Sequence, residues 1–118
     1  METLKKQANK AFRREEYEKA LTLYTKALDL IRDSVVLYNN RALTYIKLKL
    51  YEKALPDLNW ALRLNEDCLK SWLLLAKANF YLENLTEFDK AIKEAMERNP
   101  NHKDYINEFV DDLKMKND

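Results

Sequence analysis

The chain has 118 residues, 47% of them apolar and 35% charged, with 21 lysine and arginine residues against 20 acidic ones. Near-zero net charge gives no bulk attraction to nucleic acid or to a membrane surface, and no apolar run approaches the roughly 20 residues that a membrane helix needs. Glycine is absent, which removes any glycine-rich phosphate loop and argues against sheets joined by tight turns.

Residues 2–14 carry Leu4, Ala8, Ala11 and Phe12 at helical spacing, and Arg13 to Glu16 form a polar break. From Tyr17 the positions Ala20, Leu21, Tyr24, Ala27, Leu28 and Leu30 continue a second amphipathic helix. Ile31 to Ser34 break it, and the pattern restarts. Residues 35–48 and 51–64 form a second pair, and residues 69–82 and 85–98 a third. Pro56 sits inside the fourth helix, where it removes a hydrogen bond and is expected to kink the chain. Pro100 ends the third pair, because the residue before a proline avoids helix. Asn101 then reads as an N-cap, and Tyr105, Ile106, Phe109, Val110 and Leu113 as the stripe of a last helix. The prediction is all-α, with seven helices.

A repeat lies behind this pattern. Tyr17-Glu18-Lys19-Ala20-Leu21 returns unchanged, 34 residues later, as Tyr51-Glu52-Lys53-Ala54-Leu55. The same shift aligns Ala8 with Ala42 and Ala76, and Ala27 with Ala61 and Ala95. Small residues in fixed columns at this period mark stacked helical hairpins. The repeats fall at residues 1–34, 35–68 and 69–102, with a capping helix at 103–116 covering the apolar face that a stack leaves open. The whole reads as one domain. It also reads as a fragment of a longer, cytoplasmic protein, since Cys68 has no partner for a disulfide and no signal-peptide core opens the chain.

The columns resemble the tetratricopeptide repeat. That resemblance implies a right-handed superhelical array of antiparallel helix pairs, with Pro100 as the closing proline. Phe88 departs from it by replacing the small residue of its column, so the third pair must open or repack there. Arg32 and Glu66 depart where a closing proline is common.

No constellation for catalysis, metal or cofactor emerges. His102 and Cys68 stand alone in loops, whereas a metal site needs three or four ligands and a nucleophilic cysteine needs an orienting neighbour. Glu15-Glu16 and Asp111-Asp112 are adjacent in sequence and suit solvated positions. Trp60 and Trp72 fall in apolar stripes and are expected in the core. The chain reads as a non-enzyme.

The first helix of each pair lines the concave face of such arrays, their usual binding surface. There the sequence places Lys5, Asn9, Phe12 and Arg13 on the first helix, and Asn40, Leu43 and Lys47 on the third. The fifth contributes Lys70, Leu74 and Lys77. Asparagine is a poor helix-interior residue, up to ~0.7 kcal/mol worse than alanine. Two of them on one groove point to hydrogen bonding.

The runs Leu4-Lys5-Lys6-Gln7-Ala8-Asn9-Lys10-Ala11-Phe12 and Leu37-Tyr38-Asn39-Asn40-Arg41-Ala42 resemble the carboxylate-clamp subclass of this family. That resemblance implies binding of the acidic C-terminal tails of Hsp70 and Hsp90 by a monomeric co-chaperone module. Lys5, Asn9, Asn40 and Lys70 match four clamp positions; the fifth, normally a cation, falls at Leu74, with Lys77 further along the same face. Trp60-Ala61-Leu62, with Glu66, Cys68, Lys70 and Lys77-Ala78-Asn79, also resembles tetratricopeptide proteins implicated in assembling axonemal dyneins. Leu74 in mid-groove leaves a second reading open, a scaffold that holds a folded partner without using a free carboxylate. An RNA-binding array is disfavoured by the neutral charge and the few aromatics among the basic groove residues.

Overall fold

The computed structural model describes residues 2–116. Among them are seven α-helices: α1 (Glu2–Arg13), α2 (Tyr17–Leu30), α3 (Val35–Lys47), α4 (Tyr51–Leu64), α5 (Leu69–Tyr81), α6 (Leu85–Arg98) and α7 (Lys103–Met115). No strand occurs among the described residues. Helices α1 and α2, α3 and α4, and α5 and α6 pack as hairpins; α2 against α3 and α4 against α5 join them into a stack.

The alanine columns set this packing. Ala8, Ala20, Ala27, Ala42, Ala54, Ala61, Ala76 and Ala95 are all fully buried. A methyl group at a crossing lets two backbones approach, and larger neighbours fill the flanks. Tyr24 and Leu28 do so with Leu37 where the first repeat meets the second, and Ile46 and Leu58 with Leu74 where the second meets the third. One buried ion pair adds a polar tie. The Arg41 guanidinium donates to both Asp57 oxygens, at 2.8 and 2.6 Å, and to Thr25 Oγ1 at 3.3 Å, so α3 is fastened to both α4 and α2. Helix α4 runs unbroken through Pro56.

Each hairpin turns by one device. Glu15, Lys49 and Glu83 adopt left-handed backbone angles, with φ of 63°, 62° and 60°. Around each, paired hydrogen bonds close the preceding helix: Glu16 N–H to Ala11 and Glu15 N–H to Phe12 in the first turn, with equivalents at Leu50/Lys49 and Asn84/Glu83. This is the Schellman termination, in which the left-handed residue is usually glycine. Here a charged side chain occupies it three times.

Three expectations need correction. Trp60 is 50% exposed, not core; its ring stacks on Tyr38 and carries the Arg63 guanidinium at 5.3 Å. Its place on the outer side of α4 makes it a lid over Tyr38. Asn101 does not cap α7: it lies in a short 3₁₀ turn, Pro100–His102, and His102 takes the cap position with no side-chain bond. The stripe of α7 is also rotated. Ile106 and Leu113 are its buried residues, Phe109 and Val110 are partly covered, and Tyr105 is 57% exposed. Phe88 meets the repacking expected of it: it lies against Phe80, in a cluster that Leu113 of α7 completes.

Two outcomes follow for stability. Glycine at Glu15, Lys49 or Glu83 should stabilise the fold by about 0.5–1 kcal/mol each, because relief of the left-handed penalty exceeds the added chain entropy. The gains should add in the triple variant, since the turns are separate; denaturant midpoints would show it. Conversely, Ile106→Ala should cost ~2–5 kcal/mol, as Ile106 is fully buried with Leu73 and Ala95. A loss below 1 kcal/mol would mean that α7 does not close the stack.

Candidate peptide-binding groove

The groove is built from α1, α3 and α5. Four-residue and three-residue spacings put Asn9, Phe12 and Arg13 of α1 on one face, and Asn40 and Leu43 of α3 on another. These five, with Lys70 of α5 and Tyr24 of α2, line one cavity of about 190 Å³. Six of the ten residues expected from the sequence therefore converge on it. Lys5, one turn before Asn9 on α1, lies outside the lining and is partly buried.

The polar groups are arranged for an anion. Tyr24, 2% exposed, donates its hydroxyl proton to Asn9 Oδ1. Burial pushes the Tyr24 phenol above its ordinary range, against the opposing charge of Arg13, so it stays protonated. On α3, Thr44 donates to the Asn40 main-chain carbonyl at 2.7 Å, while no protein group among those described engages the Asn40 side-chain amide. Arg13, Lys70 and Lys5 make no ion pair among the described residues. The cavity thus offers amide and cationic donors, and among the described residues no carboxylate lines it or pairs with them.

The remaining expected residues lie apart. Leu74 is only 7% exposed and packs with Ala42, Ile46 and Leu58. It is a core residue with an edge on the groove, and an arginine there would have to bury its charge. Lys77 is partly buried, and its pKa falls below the ordinary lysine value, first through burial and then through the like charges of Lys47 and Lys116. Lys47 and Lys116 thus both bear on Lys77, and neither Lys47 nor Lys77 lines the cavity of Asn9 and Asn40.

A larger cavity of about 670 Å³ opens between α5 and α7, lined by Leu69, Lys70, Leu73, Leu74, Tyr105 and Phe109, with His102 at its edge. Lys70 borders both cavities. The sequence reading missed this apolar one, since it depends on the rotation of α7. It also missed two polar residues. Tyr24 carries a core aromatic's signature, and nothing local shows that its hydroxyl reaches α1. Asn39, buried, accepts from Ser71 Oγ at 2.7 Å and donates to Cys68 Sγ at 3.7 Å, tying α3 to the start of α5. Burial raises the Cys68 pKa, but hydrogen bonds from Ser71, Asn39 and the Lys70 backbone outweigh it and leave the thiol below its usual value. Among the described residues no group of three His, Cys, Asp or Glu side chains is placed to hold a metal.

Models of the tetratricopeptide repeat match residues 35–68 and 69–102. The solved first TPR of Spaghetti (RPAP3), bound to the HSP90 peptide SRMEEVD, is 31% identical, with a TM-score of 0.81 over 95% of this chain and 91% of that one. The chain belongs to the tetratricopeptide repeat family. Among curated relatives, human tetratricopeptide repeat protein 12 is 41% identical over 99 residues, 84% of this chain but 14% of that protein. The second TPR domain of human RPAP3, solved with the HSP70 peptide SGPTIEEVD, is 25% identical, with a TM-score of 0.84 over 94% of this chain and 92% of that one. Among the described residues no helix of this tetratricopeptide domain is long and apolar enough to cross a membrane.

Lys77 yields a prediction. Since its folded pKa is depressed, Lys77 destabilises the fold below the lysine range, and that penalty fades as pH rises through it. Lys77→Met keeps the apolar stem and removes the charge. It should raise the melting temperature at neutral pH, with a smaller gain at high salt or at alkaline pH. An unchanged or lower melting temperature at neutral pH would show that neither burial nor the charges of Lys47 and Lys116 penalise the Lys77 ammonium appreciably.

Proposed function

We propose that the domain is an adaptor of co-chaperone type that holds the acidic C-terminal tail of an Hsp90- or Hsp70-type partner. The observation that carries this reading is the meeting of Asn9, Asn40, Arg13 and Lys70 at one cavity that no carboxylate among the described residues lines. Lys5, Asn9 and Asn40 hold the terminal carboxylate, Lys70 pairs with an acidic side chain, and apolar tail residues meet Phe12 and Leu43. Such bonds to an ionised acceptor are short and strong, and helices fix their geometry in advance. Lys47 and Lys77 extend the positive field along the groove. Similarity to two domains solved with peptides ending in EEVD supports this assignment. On this reading the domain works as a monomer in the cytoplasm, with no cofactor and without binding nucleic acid or membrane.

The cavity between α5 and α7 suits an apolar side chain earlier in the tail. Both peptides named above carry one, Met or Ile, immediately before EEVD. An extended chain rises about 3.3 Å per residue, so a residue four before the end lies roughly 13 Å from the carboxylate.

A second reading is a scaffold, of the kind that assembles dynein arms, which grips a folded or internal segment. The apolar cavity beside Leu74 favours it, because a clamp cation is missing at that position and Leu69, Leu73, Tyr105 and Phe109 line an apolar recess there.

Calorimetry with SRMEEVD, carrying either a free or an amidated terminus, separates the two. The tail reading requires at least a tenfold loss on amidation, about the value of one hydrogen bond to a charged group; the scaffold reading requires none. Tyr105→Ser tests the apolar cavity separately. It should weaken SRMEEVD several-fold, yet leave binding of the same peptide with serine for methionine unchanged. Equal loss for both peptides would place the apolar residue elsewhere.

A further inference from the structure

Resting on the tail-binding reading, we infer that Tyr24 is a positioning residue: its hydroxyl sets the orientation of the Asn9 amide, and so whether that amide favours a carboxylate in the groove. A carboxamide has two ends of opposite character, an acceptor oxygen and a donor NH₂. Only the NH₂ end helps to bind an anion; the oxygen would repel it. The orientation of Asn9 in the cavity therefore sets whether this amide adds to or subtracts from affinity for a carboxylate.

Three observations fix that orientation. Tyr24 is nearly inaccessible, so its hydroxyl proton must find a partner inside the protein, and Asn9 Oδ1 is the acceptor it meets. The charged group that acts on Tyr24 is Arg13, whose guanidinium can only donate and so cannot take the phenolic proton instead. Were the amide reversed, its NH₂ would face the phenol, and the Tyr24 proton would be left buried without an acceptor. Finally, among the described residues no buried side-chain nitrogen or oxygen lacks a partner, so the pairing of Tyr24 with Asn9 completes a satisfied set. Buried phenol and amide lock each other, and Nδ2 is left to the cavity that both residues line.

The two residues come from different helices of the first hairpin, fifteen positions apart. The outer helix of that pair thus controls a donor on the inner one. Removing the hydroxyl leaves the ring packing in place and releases the amide to turn either way.

The test is Tyr24→Phe, with SRMEEVD in its free and amidated forms as probes, titrated against the wild-type domain, Tyr24→Phe, Asn9→Ala and the double variant. Tyr24→Phe should weaken the free peptide about fivefold, the worth of one neutral hydrogen bond. It should leave any residual affinity for the amidated peptide unchanged. In the Asn9→Ala background, Tyr24→Phe should have no further effect, because no amide remains to be oriented. A loss that simply adds to that of Asn9→Ala would show general loosening and overturn the inference, as would unchanged binding by Tyr24→Phe. If the wild type itself does not distinguish free from amidated peptide, the tail reading falls first, and this one with it. Melting curves report whether Tyr24→Phe still folds. Should it not, nuclear magnetic resonance of the wild type decides: the Asn9 NH₂ signals should move on adding the free peptide and stay put with the amidated one. Signals that respond equally to both would refute the assignment.

Discussion

The closeness of the helix crossings governs everything else in this molecule. Ala8, Ala42 and Ala76 on the groove-lining helices, and Ala20, Ala54, Ala27, Ala61 and Ala95 on their partners, leave no room between backbones. Because interiors pack at crystal-like density, even one added methylene at such a place displaces a helix. Asn9 and Asn40 sit on neighbouring α1 and α3, and the distance between their amides is inherited from those crossings. So is the reach of Tyr24, which can meet Asn9 only because α2 lies tight on α1. Recognition in this fold depends on methyl groups that never touch a ligand.

Charge is distributed on a second principle. The chain is nearly neutral, yet the lining of the cavity at Asn9 and Asn40 includes two cations, Arg13 and Lys70, and no acidic residue. Several acidic groups are engaged by other cations: Asp57 by Arg41, and Glu66, Asp67 and Glu94 by Arg98. Among the described residues the groove cations Lys5, Arg13 and Lys70 form no ion pair. Exposed pairs would have added little stability, in the range of 0–1 kcal/mol, so leaving them unmade sacrifices little and keeps the donors available. At Lys77, by contrast, the like charges of Lys47 and Lys116 press on a partly buried amine.

Most of the architecture was legible in the sequence because a repeat reports the same packing three times. A column occupied by alanine at 8, 42 and 76 cannot be coincidence of composition, and the helix boundaries followed from it to within a residue or two. The groove residues were legible for a related reason: three- and four-residue spacing fixes a face once a helix is known. What could not be read is what depends on rotation or on partners distant in sequence. Tyr105 and Ile106 are adjacent apolar residues, and only the docking of α7 decides which is exposed and which buried. Trp60 looks like core because it is apolar, but it covers Tyr38 from outside. The turns at Glu15, Lys49 and Glu83 concealed their backbone geometry, since the residue that normally signals it is missing from the whole chain.

Helix α7 also has a consequence for how much of a partner the domain can read. With α7 in place, the described residues extend 35 Å along their longest axis. An extended strand crossing that span would place about ten residues within reach, at roughly 3.3 Å each. On the tail-binding reading, whatever occupies the groove is judged on a short address rather than on a fold. A partner could change extensively elsewhere and still be received, provided those few residues remain accessible.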